Sequence, residues 1–273
     1  AGVLGMVAPL VSGWLLVNVM GVSGKPTAPD QIRPLFFITL AFTFISLFVV
    51  IFKLDVKGWG TGKKSNRNVF KDAITILKND KNCLKWIGPA AVNRLPNALV
   101  IPYLQLYAYQ VRGASVAVVT AMTTCTALTS VICGYFIGAL SDRIGRKKTL
   151  TANILLYCLG LILLITTKQD FVLIIVGILC GFQEIGMTLT ATMRHELVPN
   201  RIRGRWSGVD SFVGSMVSAI VAAVAGVIYE GMGPMWVFII YMACEAVIRL
   251  PILFSMPETL TYKVDESHFD ELG

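Results

Sequence analysis

Ionisable and amide side chains set inside long apolar stretches are the residues in this chain best placed to do chemistry. Arg94 lies about nine residues into an apolar run at 86–108, or ~14 Å along a helix at 1.5 Å per residue. Asn97 shares its helical face, and Gln105 lies farther along. Glu184 sits midway along a second run at 171–193, with Gln183 adjacent and Thr188 one turn on. A charge at the centre of a membrane helix costs roughly 2.5–3.5 kcal/mol on insertion scales, so such a residue needs a partner or a task. Two readings stand for Arg94 and Glu184. They touch a solute or exchange a proton, or they form a structural ion pair with each other or across helices. Glu245 and Arg249 stand at i and i+4 in a third run, where each can neutralise the other along one helix. A structural ion pair is expected there.

Other chemistries lack their residues. The two histidines, His195 and His268, lie near run ends, and the six cysteines show no Cys-x-x-Cys spacing, so no metal or redox centre is expected. No Gly-x-x-x-x-Gly-Lys-Ser/Thr loop occurs, so neither ATP nor another cofactor is expected. Gly21-Val-Ser23-Gly24 looks like the serine motif of intramembrane rhomboid proteases, but it lies outside any apolar run. Its one candidate histidine partner, His195, falls at the opposite membrane face. An enzyme is not expected.

The elements that must carry these residues are membrane-length. Of 273 residues, 55% are hydrophobic and 15% charged, against about 25% charged in soluble domains. A helix needs roughly 20 mostly apolar residues to cross the hydrocarbon core. Eight such runs occur, near 3–20, 34–53, 86–108, 115–138, 150–167, 171–193, 209–229 and 234–256. The fold expected is therefore an all-α polytopic bundle of eight transmembrane helices. Pro89, Pro96 and Pro102 break the third of them and free carbonyls from the helical ladder. Small residues recur every four positions at Gly214, Ser218, Ala222 and Gly226, and at Ser130, Gly134 and Gly138, a spacing that lets helix backbones approach in lipid.

The basic surplus gives the orientation. If the first run goes outward, eighteen of the 24 Lys and Arg fall on one side: in 53–85, in the 139–149 and 194–208 loops, and at Lys263. Four fall on the other side, and Arg94 and Arg249 lie within runs. The positive-inside rule then makes those loops, the 54–85 linker and the C-terminus cytoplasmic in a multi-pass protein of the cell membrane. Charges that border spans also speak against nucleic acid as a partner; the expected partner is the lipid bilayer.

At the end of the fourth run stands Gly138-Ala-Leu-Ser-Asp142-Arg143-Ile-Gly145-Arg146-Lys147-Lys148. It resembles the loop motif of the major facilitator superfamily, Gly-x-Leu-Ala/Ser-Asp-Arg-x-Gly-Arg-Lys. Glu196-Leu-Val-Pro199-Asn-Arg-Ile-Arg203-Gly204 looks like the loop after that family's tenth helix, and Pro257-Glu258-Thr259 like its common ending. Ala8-Pro9 with Ser12-Gly13 is similar to the Gly-Pro-x-x-Gly-Gly element of the family's proton-coupled drug antiporters, with both leading glycines replaced. The resemblance implies helices five to twelve of twelve: residues 1–53 as the last two helices of an N-terminal half, 54–85 as a cytoplasmic linker with an amphipathic helix, 86–260 as a six-helix C-terminal half and 261–273 as a tail. Four further helices of the same protein would precede them. It also implies a cytoplasmic latch, in which Asp142 accepts from the free amides at a neighbouring helix start, by pseudo-symmetry the one at Ala1–Leu4.

The same resemblance places Arg94 and Glu184 on helices that line a central cavity, and Glu245 with Arg249 on a peripheral one. The function it implies is secondary transport of a small solute by alternating access, with protons as the default coupling ion. Drug or small-amphiphile efflux is preferred over sugar or organic-solute uptake, because Lys53-Leu-Asp-Val lacks the sugar porters' acidic-proline motif. A non-transporting sensor or scaffold on the same fold is the remaining alternative. Cysteines introduced in the 54–85 linker of the full-length protein are expected to resist an impermeant maleimide in intact cells and to react after permeabilisation. Labelling from outside would reverse the orientation.

Overall fold

The computed structural model describes residues 33–53, 81–198 and 203–260, together with Val11 and Trp14. Every regular element among them is helical. In chain order they are α1 (Arg33–Lys53), α2 (Lys81–Val92), a π-turn at Pro96–Val100, α3 (Ile101–Gln110), α4 (Val116–Ile144), α5 (Arg146–Thr166), α6 (Asp170–Glu196), α7 (Arg203–Gly231), α8 (Trp236–Cys244), a second π-turn at Glu245–Arg249 and α9 (Leu250–Ser255). Apart from Val11 and Trp14, the expected span at 3–20, the linker helix, the Ala8–Gly13 element and the tail lie outside the described residues.

Among the described residues five helices are long and apolar enough to cross a membrane: Val116–Ile144, Arg146–Thr166, Asp170–Glu196, Trp206–Gly231 and Trp236–Ser255. They coincide with five of the eight expected runs, those at 115–138, 150–167, 171–193, 209–229 and 234–256. Helix α1 carries no charged residue between Arg33 and Lys53. The run at 86–108 is interrupted. Pro96 brings no amide hydrogen to the ladder, α2 stops at Val92, and the chain resumes helical form through a π-turn closed by Ile101 N–H donating to the Pro96 carbonyl. Arg94 sits in this interruption.

The 139–149 and 194–208 segments also differ from the loops that hydropathy suggests. Helix α4 continues to Ile144 and α5 begins at Arg146, leaving Gly145 as a one-residue corner with φ 106°. Helix α6 likewise runs to Glu196. Hydropathy registers where the hydrocarbon ends, whereas a helix continues as long as its backbone bonds are made. The opposite end of α4 is fixed locally, since Ser115 Oγ accepts from the Val118 amide at 3.3 Å.

Glycines in α6 set the helix spacing. A Cβ on Gly177 would lie 2.5 Å from the Met122 carbonyl oxygen of α4, and one on Gly181 would lie 2.5 Å from Thr129 Cβ. At this closeness Thr126 Oγ1 of α4 also donates to the Gly177 carbonyl at 2.8 Å. The α4 stripe does not play this part: Gly138 has nothing within 4 Å, and Gly134 meets Ile185 at an ordinary 3.8 Å. In α7, by contrast, a Cβ on Gly214 would collide with the Arg94 side chain at 2.6 Å.

Buried apolar residues form two clusters. One gathers Trp86, Leu150, Ile154, Leu189 and Trp206 toward the Gly145 corner. The other gathers Tyr107, Leu161, Val176, Phe238 and Tyr241 toward the far end. Outside, rows such as Phe212, Met216, Ile220, Val224 and Val227 on α7 are exposed, a surface that suits lipid or a partnering half-bundle. Gly181→Leu is expected to lower the thermal midpoint of the full-length protein in detergent by several degrees, because backbone and Thr129 cannot yield. Gly134→Ala should leave it within about 1–2 °C. Fluorescence-detected melting distinguishes the two.

Candidate functional site

The break after α2 turns Arg94 toward α7. Its Nη2 lies 3.4 Å from Asp210 Oδ2, and Gly214, one turn beyond Asp210, leaves room for its side chain. Asp210 also accepts from Trp86 Nε1 at 3.3 Å and from Arg194 Nη1 of α6. From the sequence alone, Asp210, near the start of the 209–229 run, reads as a partner of the first-turn helix dipole. It lies seven residues beyond Arg203, past the turn over which that dipole acts, and its carboxylate joins three helices instead. Asn97 lines the same cleft of about 240 Å³, with Asn93, Thr190 and Ser211.

Glu184 is not brought to Arg94, so an ion pair between them is ruled out in this arrangement. It is exposed, and its carboxylate makes no hydrogen bond or ion pair among the described residues. It forms part of the wall of two clefts. One, of about 190 Å³, includes Gln105, Thr123, Thr126, Tyr157 and Gln183. The other, of about 490 Å³, lies along α4 and α6 between Ser130, Gly138 and Thr188. Gln105 Nε2 donates to Thr123 Oγ1 at 3.2 Å, whereas Gln183 Nε2 is buried with no acceptor. Thr188 turns its hydroxyl to the Glu184 backbone carbonyl at 3.2 Å.

Glu245 and Arg249 meet at 2.9 Å, each at most 1% exposed. They are not peripheral. Arg249 Nη2 donates to Asn93 Oδ1 at the α2 break and to Thr190 Oγ1 of α6, both at 2.9 Å, and Tyr241 OH donates to Glu245 Oε1 at 2.6 Å. Burial makes this pair a junction between helices rather than a stripe along one of them.

At the end that carries the Gly138–Lys148 motif, the free amides of α5 are received by Glu258. Arg146 N–H donates to its Oε1 at 2.8 Å and Lys147 N–H to its Oε2 at 3.2 Å. Asp142 is mostly exposed and pairs with Arg146 at 3.2 Å. The amides expected to donate to Asp142, at Ala1–Leu4, lie outside the described residues. Arg146 also pairs with Glu196 at 2.8 Å, joining the two motifs. Lys147 Nζ donates to the carbonyls of Phe254 and Met256, capping the end of α9. Gly145 serves twice: its φ is one that side chains rarely adopt, and a Cβ would lie 2.8 Å from Glu258. Arg203 Nε donates to the His195 carbonyl at 3.2 Å. Arg143 is exposed, Gly138 and Gly204 border open space, and Pro199 lies outside the described residues.

With this geometry in view, the comparisons with known proteins decide the family. The family model described as "Major Facilitator Superfamily" matches residues 89–267, more than half of the chain. The chain belongs to the Major Facilitator Superfamily. It is thus an integral membrane protein of a transporter family. Curated relatives include "Multidrug resistance protein MdtG" from Escherichia coli K12 / DH10B and from Escherichia coli O139:H28 (strain E24377A / ETEC). Each is 28% identical over 165 residues, which cover 55% of this chain and 40% of the relative. The match thus spans well under half the length of these superfamily members.

Several residues of this superfamily chain escaped sequence reading. Gly177-Ile-Leu-Cys-Gly181 is a Gly-x-x-x-Gly and carried a readable signal. Tyr241, Glu245 and Arg249 recur every four residues, so their ladder was also readable. Asn93, Thr190 and Trp86 gave none, because they matter only through partners distant in sequence. Arg249→Met alone is expected to destabilise the fold by about 3–5 kcal/mol, since Glu245 would keep a buried, unpaired charge. The double variant Glu245→Met/Arg249→Met should recover most of that loss. Thermal or denaturant unfolding in detergent measures both.

Proposed function

We propose that this chain is part of a secondary carrier that exports small amphipathic compounds by alternating access, in exchange for protons. The observation that carries the proposal is the position of Glu184. It stands mid-helix in α6, exposed, with no carboxylate partner among the described residues, on a wall common to two clefts. An acid held in a membrane bundle without a fixed counter-charge is costly unless it gains and loses a proton or a ligand. The name of the Escherichia coli relatives, a multidrug resistance protein, supports efflux over sugar uptake. In this reading Gln105, Gln183 and Thr188 supply polar contacts along the path. The Arg146–Glu196–Glu258 cluster holds one end of the half-bundle together, on the side that the positive-inside rule assigns to the cytoplasm. The partners are a small-molecule substrate, H⁺, the bilayer and the other half of the carrier.

Flux of a fluorescent amphipathic dye, measured in proteoliposomes of the full-length protein under an imposed pH gradient, tests this. Glu184→Gln is expected to reduce gradient-driven flux at least tenfold while size-exclusion behaviour is unchanged. Undiminished flux in that variant would end the carrier role of Glu184. A wild-type protein that moves no dye under any gradient would favour a sensor or scaffold.

A further inference from the structure

The cleft between α2, α6 and α7 carries more positive charge than its walls balance. Arg94 and Arg194 both line it, and Asp210 is the one acid among the lining residues. Asp210 Oδ2 is already shared between the two guanidinium groups, and its Oδ1 is taken by Trp86. The contact with Arg94 is long, at 3.4 Å. Behind the cleft, Arg249 adds nothing to the count, because Glu245 neutralises it. Glu184 opens onto other clefts. Among the described residues one cationic charge is therefore left over in a cleft that runs from Arg194, in the last turn of α6, to Arg94 within an apolar run, and an uncompensated charge there calls for a counter-ion.

The donors match the charge. A guanidinium carries five N–H donors in a planar fork suited to carboxylate and phosphate oxygens. Arg194 Nε is buried without an acceptor, and Arg94 reaches one acceptor, Asp210 Oδ2, among the described residues. Asn97 and Ser211, which also line the cleft, add neutral hydrogen-bonding groups. We propose that this cleft binds the anionic head group, phosphate or carboxylate, of a small organic molecule, with Arg94 and Arg194 as its ligands. Asp210 acts there as an internal competitor that holds the two arginines in place when the cleft is empty. The same oxygens could come from a free solute or from the phosphate of an anionic lipid.

The inference rests on the carrier reading in taking the cleft as open to solute, but equilibrium binding without a gradient tests it separately from proton coupling. The probe is monobutyl phosphate, titrated calorimetrically into the full-length protein in phosphatidylcholine nanodiscs, with butylammonium as the counter-probe. Saturable binding of the phosphate alone is expected. Arg94→Gln should weaken it at least tenfold, whereas Asp210→Asn should tighten it severalfold, a sign that a merely structural ion pair would not give. In phosphatidylglycerol nanodiscs, competition by the lipid identifies a lipid head group as the natural occupant, and unchanged affinity identifies a solute. The proposal is overturned if the wild-type protein takes up monobutyl phosphate no better than butylammonium. It is equally overturned if Asp210→Asn, checked for folding by size exclusion, binds it no more tightly than wild type.

Discussion

A guanidinium buried to 1% exposure in a membrane bundle must have its charge and its hydrogen-bonding capacity met from within, and Arg249 meets that condition by drawing helices together. Glu245 supplies the counter-charge from one turn away, but the remaining donors have to be met from elsewhere. Asn93 meets them at the interruption between α2 and the first π-turn, and Thr190 meets them from α6. The interruption therefore has a structural use beyond freeing carbonyls. It brings an amide side chain to the bundle centre and sets the next residue, Arg94, against α7. A proline-broken helix, a buried ion pair and a polar cleft are consequences of one requirement: polar groups in this setting must find one another.

Close backbone contact is the second constraint. Lipid tails give apolar helices no reason to prefer each other over solvent, so packing must come from shape and from exchanged hydrogen bonds. Gly177 and Gly181 provide the shape against α4, and Thr126 provides the bond. Holding α4 and α6 this closely forms the surface on which Glu184, Gln183 and Thr188 are displayed. The exposed acid thus sits on one of the most tightly packed seams in the molecule, which fixes its backbone while leaving its carboxylate open.

Much of this was legible in the sequence, for reasons that can be stated residue by residue. The long apolar runs registered as helices because membrane length is a property of consecutive residues. Gly145 was readable as a tight turn, and Glu245 with Arg249 as a pair, because both depend on local spacing. What could not be read was any partnership across the chain. Nothing near Asp210 in sequence points to Trp86 or Arg94, and nothing near Arg146 reveals that Glu258 receives the α5 amides. The loops at 139–149 and 194–208 were misjudged for a related reason, since hydropathy falls where lipid ends and the helices go on. The break at Pro96 lay between these cases, its place visible and its use hidden.

Glu258 and the amide of Arg146 are separated by 112 positions. During synthesis the start of α5 therefore emerges with bare backbone donors and must wait for the very residue that satisfies them. At about 5–20 residues per second that wait lasts roughly 5–25 s. Through that interval α5 can be threaded into the bilayer but cannot adopt its finished beginning, so closing the half-bundle is an event that only a stretch made 112 residues later can complete.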